Sequence, residues 1–337
     1  METTHLQGID IDASRIVLGS WAIGGWMWGG SDEEESIRTI HAALDQGINV
    51  IDTAPVYGFG RSEEIVGKAL ARRGGRDRLV IATKVALEWR DGKVFRNATA
   101  TRLETEIEAS LRRLGTDTID LYQVHWPDPL VPIEETAAAM AKFHRQGKIR
   151  AIGVSNFSPE QMDIFRQAAP LQSCQPPYNL FERHIERDVL PYCKEKGIAL
   201  LAYGALCRGL LSGKMTADRK FEGDDLRKID PKFKQPRFNR YLGAVDKLNR
   251  FARERYGKNV MALAVRWILD QGVDFALWGA RHPGQVEGVG EVSGWTLSGE
   301  ARKEIDGILQ EAVIDPVGPE FMAPPTRSTE GGGAAGH

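Results

Sequence analysis

Four ionisable residues fall where short apolar runs end. Asp52 lies inside Val50-Ile51-Asp52-Thr53-Ala54, and Tyr57 follows on Pro55-Val56-Tyr57-Gly58. Lys84 closes Leu79-Val80-Ile81-Ala82-Thr83-Lys84, and His125 closes Ile119-Asp120-Leu121-Tyr122-Gln123-Val124-His125. A buried carboxylate or ammonium is costly alone, so Asp52 and Lys84 are expected to pair. A cation beside a phenol favours the phenolate, so Lys84 is expected to lower the Tyr57 pKa from about 10 towards the working range of an acid–base catalyst. His125 is placed to donate or orient a hydrogen bond at the same centre. Together these groups could protonate a carbonyl oxygen as hydride arrives at its carbon. Taken singly, each has a plain structural explanation: a turn cap, a snorkelling lysine, a packing tyrosine, a satisfied imidazole. Their joint placement is what points to chemistry.

The elements that must carry these residues alternate. Apolar runs at Ile16–Ile23, Asn49–Ala54, Arg78–Val85, Ile119–His125, Ile149–Val154, Gln172–Gln175, Ala199–Tyr203 and Phe275–Gly279 have the composition of strands covered on both faces. Helical patterns lie between them. Asp32–Asp45 opens with Ser31 as N-cap and an acidic first turn. Thr101–Leu114 puts Leu103, Ile107, Leu111 and Leu114 on one face, and Ile133–Gln146, Pro159–Ala168 and Ile185–Lys196 follow. Helix, glycine, strand recurs, as at Gly47, Gly115, Gly147 and Gly197. Eight such units predict a single (β/α)8 TIM barrel over residues 1–325, with an extra C-terminal helix and a mobile tail at 326–337. An open doubly wound sheet would carry a G-x-G-x-x-G turn after the first strand. The chain instead reads Gly24-Gly25-Trp26-Met27-Trp28-Gly29-Gly30. The long segment Cys207–Arg240, rich in Gly, Pro, Lys and Arg, has little apolar periodicity and reads as a functional lid or a disordered loop.

Composition excludes several classes. Of 337 residues, 44 are Lys or Arg and 46 are Asp or Glu, a net charge of -2 that leaves no global basic footprint for nucleic acid or anionic membrane. No apolar run reaches the roughly 18 residues of a membrane span, and the amino terminus lacks a secretory pattern. Cys174, Cys193 and Cys207 are scattered and unpaired, which predicts a reducing, cytoplasmic setting.

At the ionisable residues the sequence resembles the aldo-keto reductase family. Gly47–Ala54 with Tyr57-Gly58 and Gly60-Arg61-Ser62-Glu63-Glu64 looks like one family signature. Leu111–Leu114, Thr116-Asp117 and Ile119–Asp128 look like a second, and Gly153–Phe157 and Gln175–Asn179 like two further blocks. The resemblance runs from about Ile16 to about Val292. It implies a tetrad of Asp52, Tyr57, Lys84 and His125, with Tyr57 the acid, and a nicotinamide cofactor held without metal or Rossmann fold. It implies that Ser155, Asn156 and Gln175 hold the carboxamide and that Tyr203 stacks on the nicotinamide ring. Trp21 and Gly204 belong to the same expected cofactor site.

The block Leu206-Cys207-Arg208-Gly209-Leu210-Leu211-Ser212-Gly213-Lys214 looks like a pyrophosphate strap, with contacts expected from Leu206, Arg208, Gly209, Leu211, Ser212, Gly213 and Lys214. Its glycines allow close backbone approach, and Arg208 and Lys214 supply charge. A last cofactor block follows the final strand, with Gly279, Arg281 and Gln285 as contacts; a guanidinium at Arg281 favours NADP(H) through the adenosine 2′-phosphate. Relatives carry Glu-Asn soon after this glutamine, where this chain has Gly288-Val289. Trp21, Trp89 and Trp126 are expected to line the substrate pocket, with Trp26 and Trp28 nearby.

The expected activity is therefore NADPH-dependent reduction of small aldehydes, or the reverse oxidation of polyols, in a bacterial branch resembling general-stress reductases and glyceraldehyde-reducing, glycerol dehydrogenase-like enzymes. The expected partner is a small molecule, with neither nucleic acid nor membrane, and the sequence leaves the oligomeric state open. One alternative is a cofactor-bound regulatory module like potassium-channel β subunits. Another is a Schiff-base lyase built on a neutral Lys84.

Overall fold

The structure is a computed structural model that describes residues 1–327. Eight parallel strands close into a barrel in sequence order: β1 (Ile16–Gly19), β2 (Val50–Asp52), β3 (Val80–Val85), β4 (Ile119–Val124), β5 (Ile149–Ser155), β6 (Ser173–Gln175), β7 (Ala199–Ala202) and β8 (Phe275–Gly279). β8 pairs back onto β1, with Trp278 opposite Leu18 and Gly279 opposite Gly19. Around the barrel lie α1 (Glu33–Asp45), α2 (Arg61–Arg73), α3 (Ala100–Leu114), α4 (Ile133–Arg145), α5 (Pro159–Ala168), α6 (Val189–Lys196), α7 (Arg237–Tyr256), α8 (Val260–Asp270) and α9 (Gly299–Ala312). The connection after β7 carries two helices, and the C-terminal helix α9 packs on α7. The expected (β/α)8 barrel is the fold.

Two apolar layers follow from the two faces of each strand. Val17, Val50, Val80, Ala82, Leu121, Ala151, Leu201 and Phe275 fill the barrel interior. Leu6 and Ile9 join that cluster from the amino-terminal ribbon, in which Thr3–Thr4 pairs antiparallel with Ala13–Ser14. The opposite strand face meets the helices, where Ile51, Ile81, Ile107, Tyr122 and Phe143 belong to the main core. No helix among the described residues is long and apolar enough to cross a membrane.

Several expected boundaries move for physical reasons. The first strand stops at Gly19, because Trp21–Gly24 makes a helical turn instead of continuing to Ile23. Asp32, not Ser31, caps α1, its carboxylate accepting from the Glu35 amide at 2.7 Å. The helix expected over Ile185–Lys196 divides into a turn at His184–Arg187 and α6, which Asp188 caps. That restart puts Pro191 in a first turn, where its missing N–H costs no hydrogen bond. Leu87–Arg90 and Lys93–Arg96 form an unexpected antiparallel hairpin. It turns on Asp91 and Gly92, both with positive φ, the combination that favours a tight hairpin.

The carboxyl-terminal segment also departs from expectation. The predicted mobile tail covered 326–337. Thr326 bridges to Arg96 beside that hairpin, and Arg327 pairs with Asp128. Residues 328–337 lie outside the described residues.

Candidate active site

Asp52, Tyr57, Lys84 and His125 converge at the carboxyl ends of β2, β3 and β4 and on the loop leaving β2. Lys84 Nζ lies 2.5 Å from Asp52 Oδ1, and both side chains are buried. The ammonium also donates to the Thr53 carbonyl at 3.0 Å and to the Tyr57 hydroxyl at 3.3 Å. Its three donors are thereby used. Three acceptors around the nitrogen, one of them a carboxylate, favour the ammonium over a neutral, nucleophilic amine. Asp52 Oδ2 accepts from the side-chain amides of Gln175 at 2.8 Å and Gln123 at 3.2 Å. His125 meets the Tyr57 ring edge-on, with centroids 5.8 Å apart, and no hydrogen bond joins the two side chains among the described residues.

Tyr57 is placed by backbone packing. Its loop lies against the turn Trp21–Gly24 so closely that a Cβ on Gly24 would sit 2.5 Å from the Tyr57 carbonyl. A Cβ on Gly58 would sit 2.2 Å from the Gly24 oxygen, and Gly58 also has φ +69°. Only glycine fits at either position. Buried hydroxyls fasten the same region: Ser20 donates to the Asp52 carbonyl, Thr53 to Ser62, and Ser62 to the Ser20 carbonyl. Trp21 stacks beside Tyr57, at 5.8 Å and 20° between planes.

The electrostatics differ from the expectation in one respect. Burial, and secondarily the Asp52 charge, hold the Tyr57 phenol well above its ordinary range. Lys84 does not lower this pKa, because Asp52 neutralises the ammonium and burial disfavours a phenolate. Burial also lowers the Lys84 pKa, partly offset by Asp52. Burial and then the Lys84 charge hold His125 well below the usual imidazole range, so the ring is neutral.

Two cavities meet at Tyr57. A groove of about 450 Å³ runs past Trp21, Asp52, Tyr203, Gly204, Leu206, Gly209, Ser212 and Lys214 to Gly279, Arg281 and Gln285. A pocket of about 130 Å³ is walled by Trp21, Trp26, Val56, His125, Trp126, Ser155, Asn156 and Gln175. Tyr57, Trp21, Tyr203 and Met322 border both. Asn156, at φ +63°, is pinned by donation to the His125 carbonyl and by accepting from the Tyr203 hydroxyl at 3.0 Å. The Ser155 hydroxyl donates to the Gln175 carbonyl at 2.7 Å.

The long segment after β7 is ordered and crosses the groove. Asp224 accepts from the backbone amides of Met27 at 2.7 Å and Gly29 at 3.0 Å, and the Leu226 amide donates to the Met27 carbonyl. Arg227 lies between the rings of Phe221 and Trp28, at 4.5 and 5.3 Å, and pairs with Asp225. Arg281 donates to the Trp28 carbonyl at 2.8 Å, and its amide is held by Gln285.

Several of the expected residues are placed away from the groove or are engaged elsewhere. Leu211 is fully buried in the core and does not face the groove. Gly213 also lies off the groove, where a Cβ would meet Val260 at 2.9 Å. Arg208 borders the groove, but its guanidinium is paired with Glu182 and Asp230, so it offers no free charge. Trp89 sits on the unexpected hairpin against Phe59, with Arg102 over its ring, outside both cavities. Gly288 and Val289 do not line the groove either, and Val289 is fully buried.

Other site residues went unassigned from sequence. Gln123 was hidden inside an apolar run, although a lone amide there is itself a signal. Arg219 and Arg227 reach the groove from the crossing segment. Phe321, Met322 and Pro324 wall the pocket from the carboxyl-terminal segment, where no periodicity marks them.

A closed barrel with a buried acid–lysine pair beside a tyrosine, at the junction of two cavities, is an arrangement for acid–base chemistry on a small molecule. The sequence matches the aldo/keto reductase family model over residues 15–310, and the chain belongs to that family of oxidoreductases. It is 64% identical to the aldo-keto reductase YhdN of Bacillus subtilis, over 97% of this chain and 99% of that one. It is 36% identical to the NADH-specific methylglyoxal reductase of Escherichia coli, over 85% of this chain and 91% of that one. The structure of a glycerol dehydrogenase from Gluconobacter oxydans superposes with a TM-score of 0.87, at 57% identity, covering 95% of this chain and 99% of that one.

Proposed function

We propose that this chain is an NADPH-dependent carbonyl reductase, and in reverse an alcohol dehydrogenase, for small aldehydes or polyols such as glyceraldehyde and glycerol. The observation that carries this reading is the position of Tyr57. Its hydroxyl accepts from Lys84 and stands where the groove meets the pocket. Similarity to a glycerol dehydrogenase and a methylglyoxal reductase supports the substrate class.

The groove suits a dinucleotide. The indole N–H groups of Trp21 and Trp28, both lining it, are buried without an acceptor. Lys214, Arg219 and Arg281 supply positive charge along it. Trp21, Ser155, Asn156, Gln175 and Tyr203 would hold the nicotinamide, Gly204, Leu206, Gly209, Ser212 and Lys214 the pyrophosphate, and Arg281 the 2′-phosphate. When bound, the reduced nicotinamide supplies hydride to the carbonyl carbon.

The chain's own residues handle the proton. The Tyr57 oxygen accepts from Lys84, which leaves the phenolic proton free to point at substrate. That O–H bond breaks as a new O–H bond forms on the carbonyl oxygen, giving the alcohol. Lys84 keeps its hydrogen bond to the tyrosine oxygen until solvent returns the proton. Neutral His125 donates its N–H to the same carbonyl oxygen and orients it. Trp126 and Trp21 enclose the substrate and exclude water. The small aromatic pocket favours short chains.

Consumption of NADPH and of NADH with a panel of short aldehydes, ketones and polyols tests this. Wild type should turn over short aldehydes with NADPH preferred. Tyr57→Phe should lose about 10²–10⁴-fold in turnover yet still bind NADPH, because the ring surface remains. Arg281→Ala should weaken NADPH and spare NADH. A Tyr57→Phe enzyme with near wild-type rate would overturn the mechanism.

A further inference from the structure

Beside the groove lies a buried charged quartet outside the proton-transfer chemistry. Glu182, Asp230 and Lys232 are at most 1% exposed, and the Arg208 side chain is 4% exposed. Arg208 pairs with Glu182, and its Nε lies 2.7 Å from Asp230 Oδ2. Lys232 Nζ lies 2.7 Å from Glu182 and 3.6 Å from Asp230. The formal charges cancel. Burial pushes the Glu182 carboxyl up, but Arg208 and Lys232 outweigh it and hold the group below its usual range.

The quartet joins segments on different sides of the site. Arg208 stands on the groove side, in a left-handed conformation that also includes Cys207. Such non-glycine backbone persists only where surroundings over-determine it. Glu182 also accepts from the Asn179 amide, which donates to the Gly204 carbonyl at 3.0 Å. Asp230 and Lys232 come from the crossing segment. On the pocket side, Lys232 donates to the Gly318 carbonyl at 3.2 Å. The Phe321 ring lies under both cations, 5.6 Å from Arg208 and 5.7 Å from Lys232. Phe321 and Met322 wall the substrate pocket.

Buried ion clusters contribute little net stability compared with apolar replacements of similar size. This one holds the wall at several points: Arg208 and Lys232 both lie over the Phe321 ring, Arg208 also reaches Met322 Sδ at 3.9 Å, and Asp230 fixes both cations. We propose that Asp230 and Lys232 are positioning residues that couple the two cavities, so that cofactor in the groove orders the Phe321–Met322 wall of the substrate pocket. This rests on the reading of the groove as a cofactor site. Arg208 transmits the constraint from one side, and the Gly318 carbonyl and Phe321 ring receive it on the other.

Hydrogen–deuterium exchange of the wild-type protein with and without NADPH tests the coupling directly. Saturating NADPH should slow exchange across Gly318–Met322 severalfold. NADPH bound by fluorescence titration with unchanged exchange there overturns the inference alone. Failure of NADPH to bind overturns the functional reading as well. The double variant Asp230→Asn with Lys232→Met removes one charge of each sign. It should release NADPH about tenfold faster and raise the aldehyde KM about tenfold, within the usual range of coupling between sites, with kcat within about twofold of wild type. A folded double variant with wild-type release and KM, or with only one of them changed, overturns the coupling. Should that variant not fold, the exchange measurement on wild type decides.

Discussion

Lys84 donates to the Tyr57 hydroxyl at 3.3 Å, yet the phenol is held more firmly protonated than a free tyrosine. Asp52 reconciles the two facts. Its carboxylate, 2.5 Å from the ammonium, cancels the charge that would otherwise stabilise a phenolate. The pair supplies a donor to the tyrosine oxygen without drawing off its proton.

The pH profile of activity should follow. With its pKa raised by burial and by Asp52, Tyr57 remains an acid through neutral and mildly alkaline pH. Reductase kcat/KM should therefore stay flat up to about pH 10, the free-phenol value, before falling. Alcohol oxidation needs the phenolate and should rise across the same range. A reductase limb that falls near neutral pH would contradict the assignment.

Folding stability should respond to acid through His125. Burial and Lys84 hold its folded pKa well below 6.5. Below that pH the unfolded chain takes up a proton that the folded site refuses. Stability from the neutral ring is thus present above about pH 6.5 and is lost as pH falls below it. Denaturant midpoints at acidic and neutral pH should differ less in His125→Gln than in wild type. An identical difference would remove His125 from the acid response.

Breaking the buried pair should be expensive. Lys84→Met leaves the Asp52 carboxylate buried, with only the amides of Gln123 and Gln175. A loss of about 3–5 kcal/mol is expected from an uncompensated buried charge, and Asp52→Asn in the same chain should recover part of it. Urea unfolding of the single and double variants measures both.

Anchoring of the crossing segment should set cofactor release. Asp224 is exposed and bonds two amides of the loop after β1. Asp224→Ala should leave thermal stability nearly unchanged and speed NADPH release severalfold, read by stopped-flow fluorescence. Unchanged release would show that this crossing is no barrier to exit.

Much of the site was legible in the chain. Asp52, Lys84 and His125 stand at strand ends because an ionisable residue closing an apolar run has few other places to go. Arg208 was misjudged, because its carboxylate partners come from separate segments and no local pattern announces them. Trp89 was misplaced for a different reason: the Asp91-Gly92 turn is a local signal, and it carries Trp89 onto a hairpin and away from the pocket. Phe321 and Met322 carry no periodicity, so docking through Arg96, Asp128, Arg208 and Lys232 brings them to the site.

By itself, the sequence determined the alternation of strand and helix, the glycine stops and the identity of the four convergent groups. These follow from local rules of periodicity, capping and burial. The tertiary structure alone decided the direction of the Tyr57 shift, the commitment of Arg208 and the wall of the substrate pocket. Each of these depends on fields and contacts between residues far apart in the chain. Asp52 meets Gln175 across 123 positions, and such a partner is chosen by closure of the barrel rather than by any neighbouring residue.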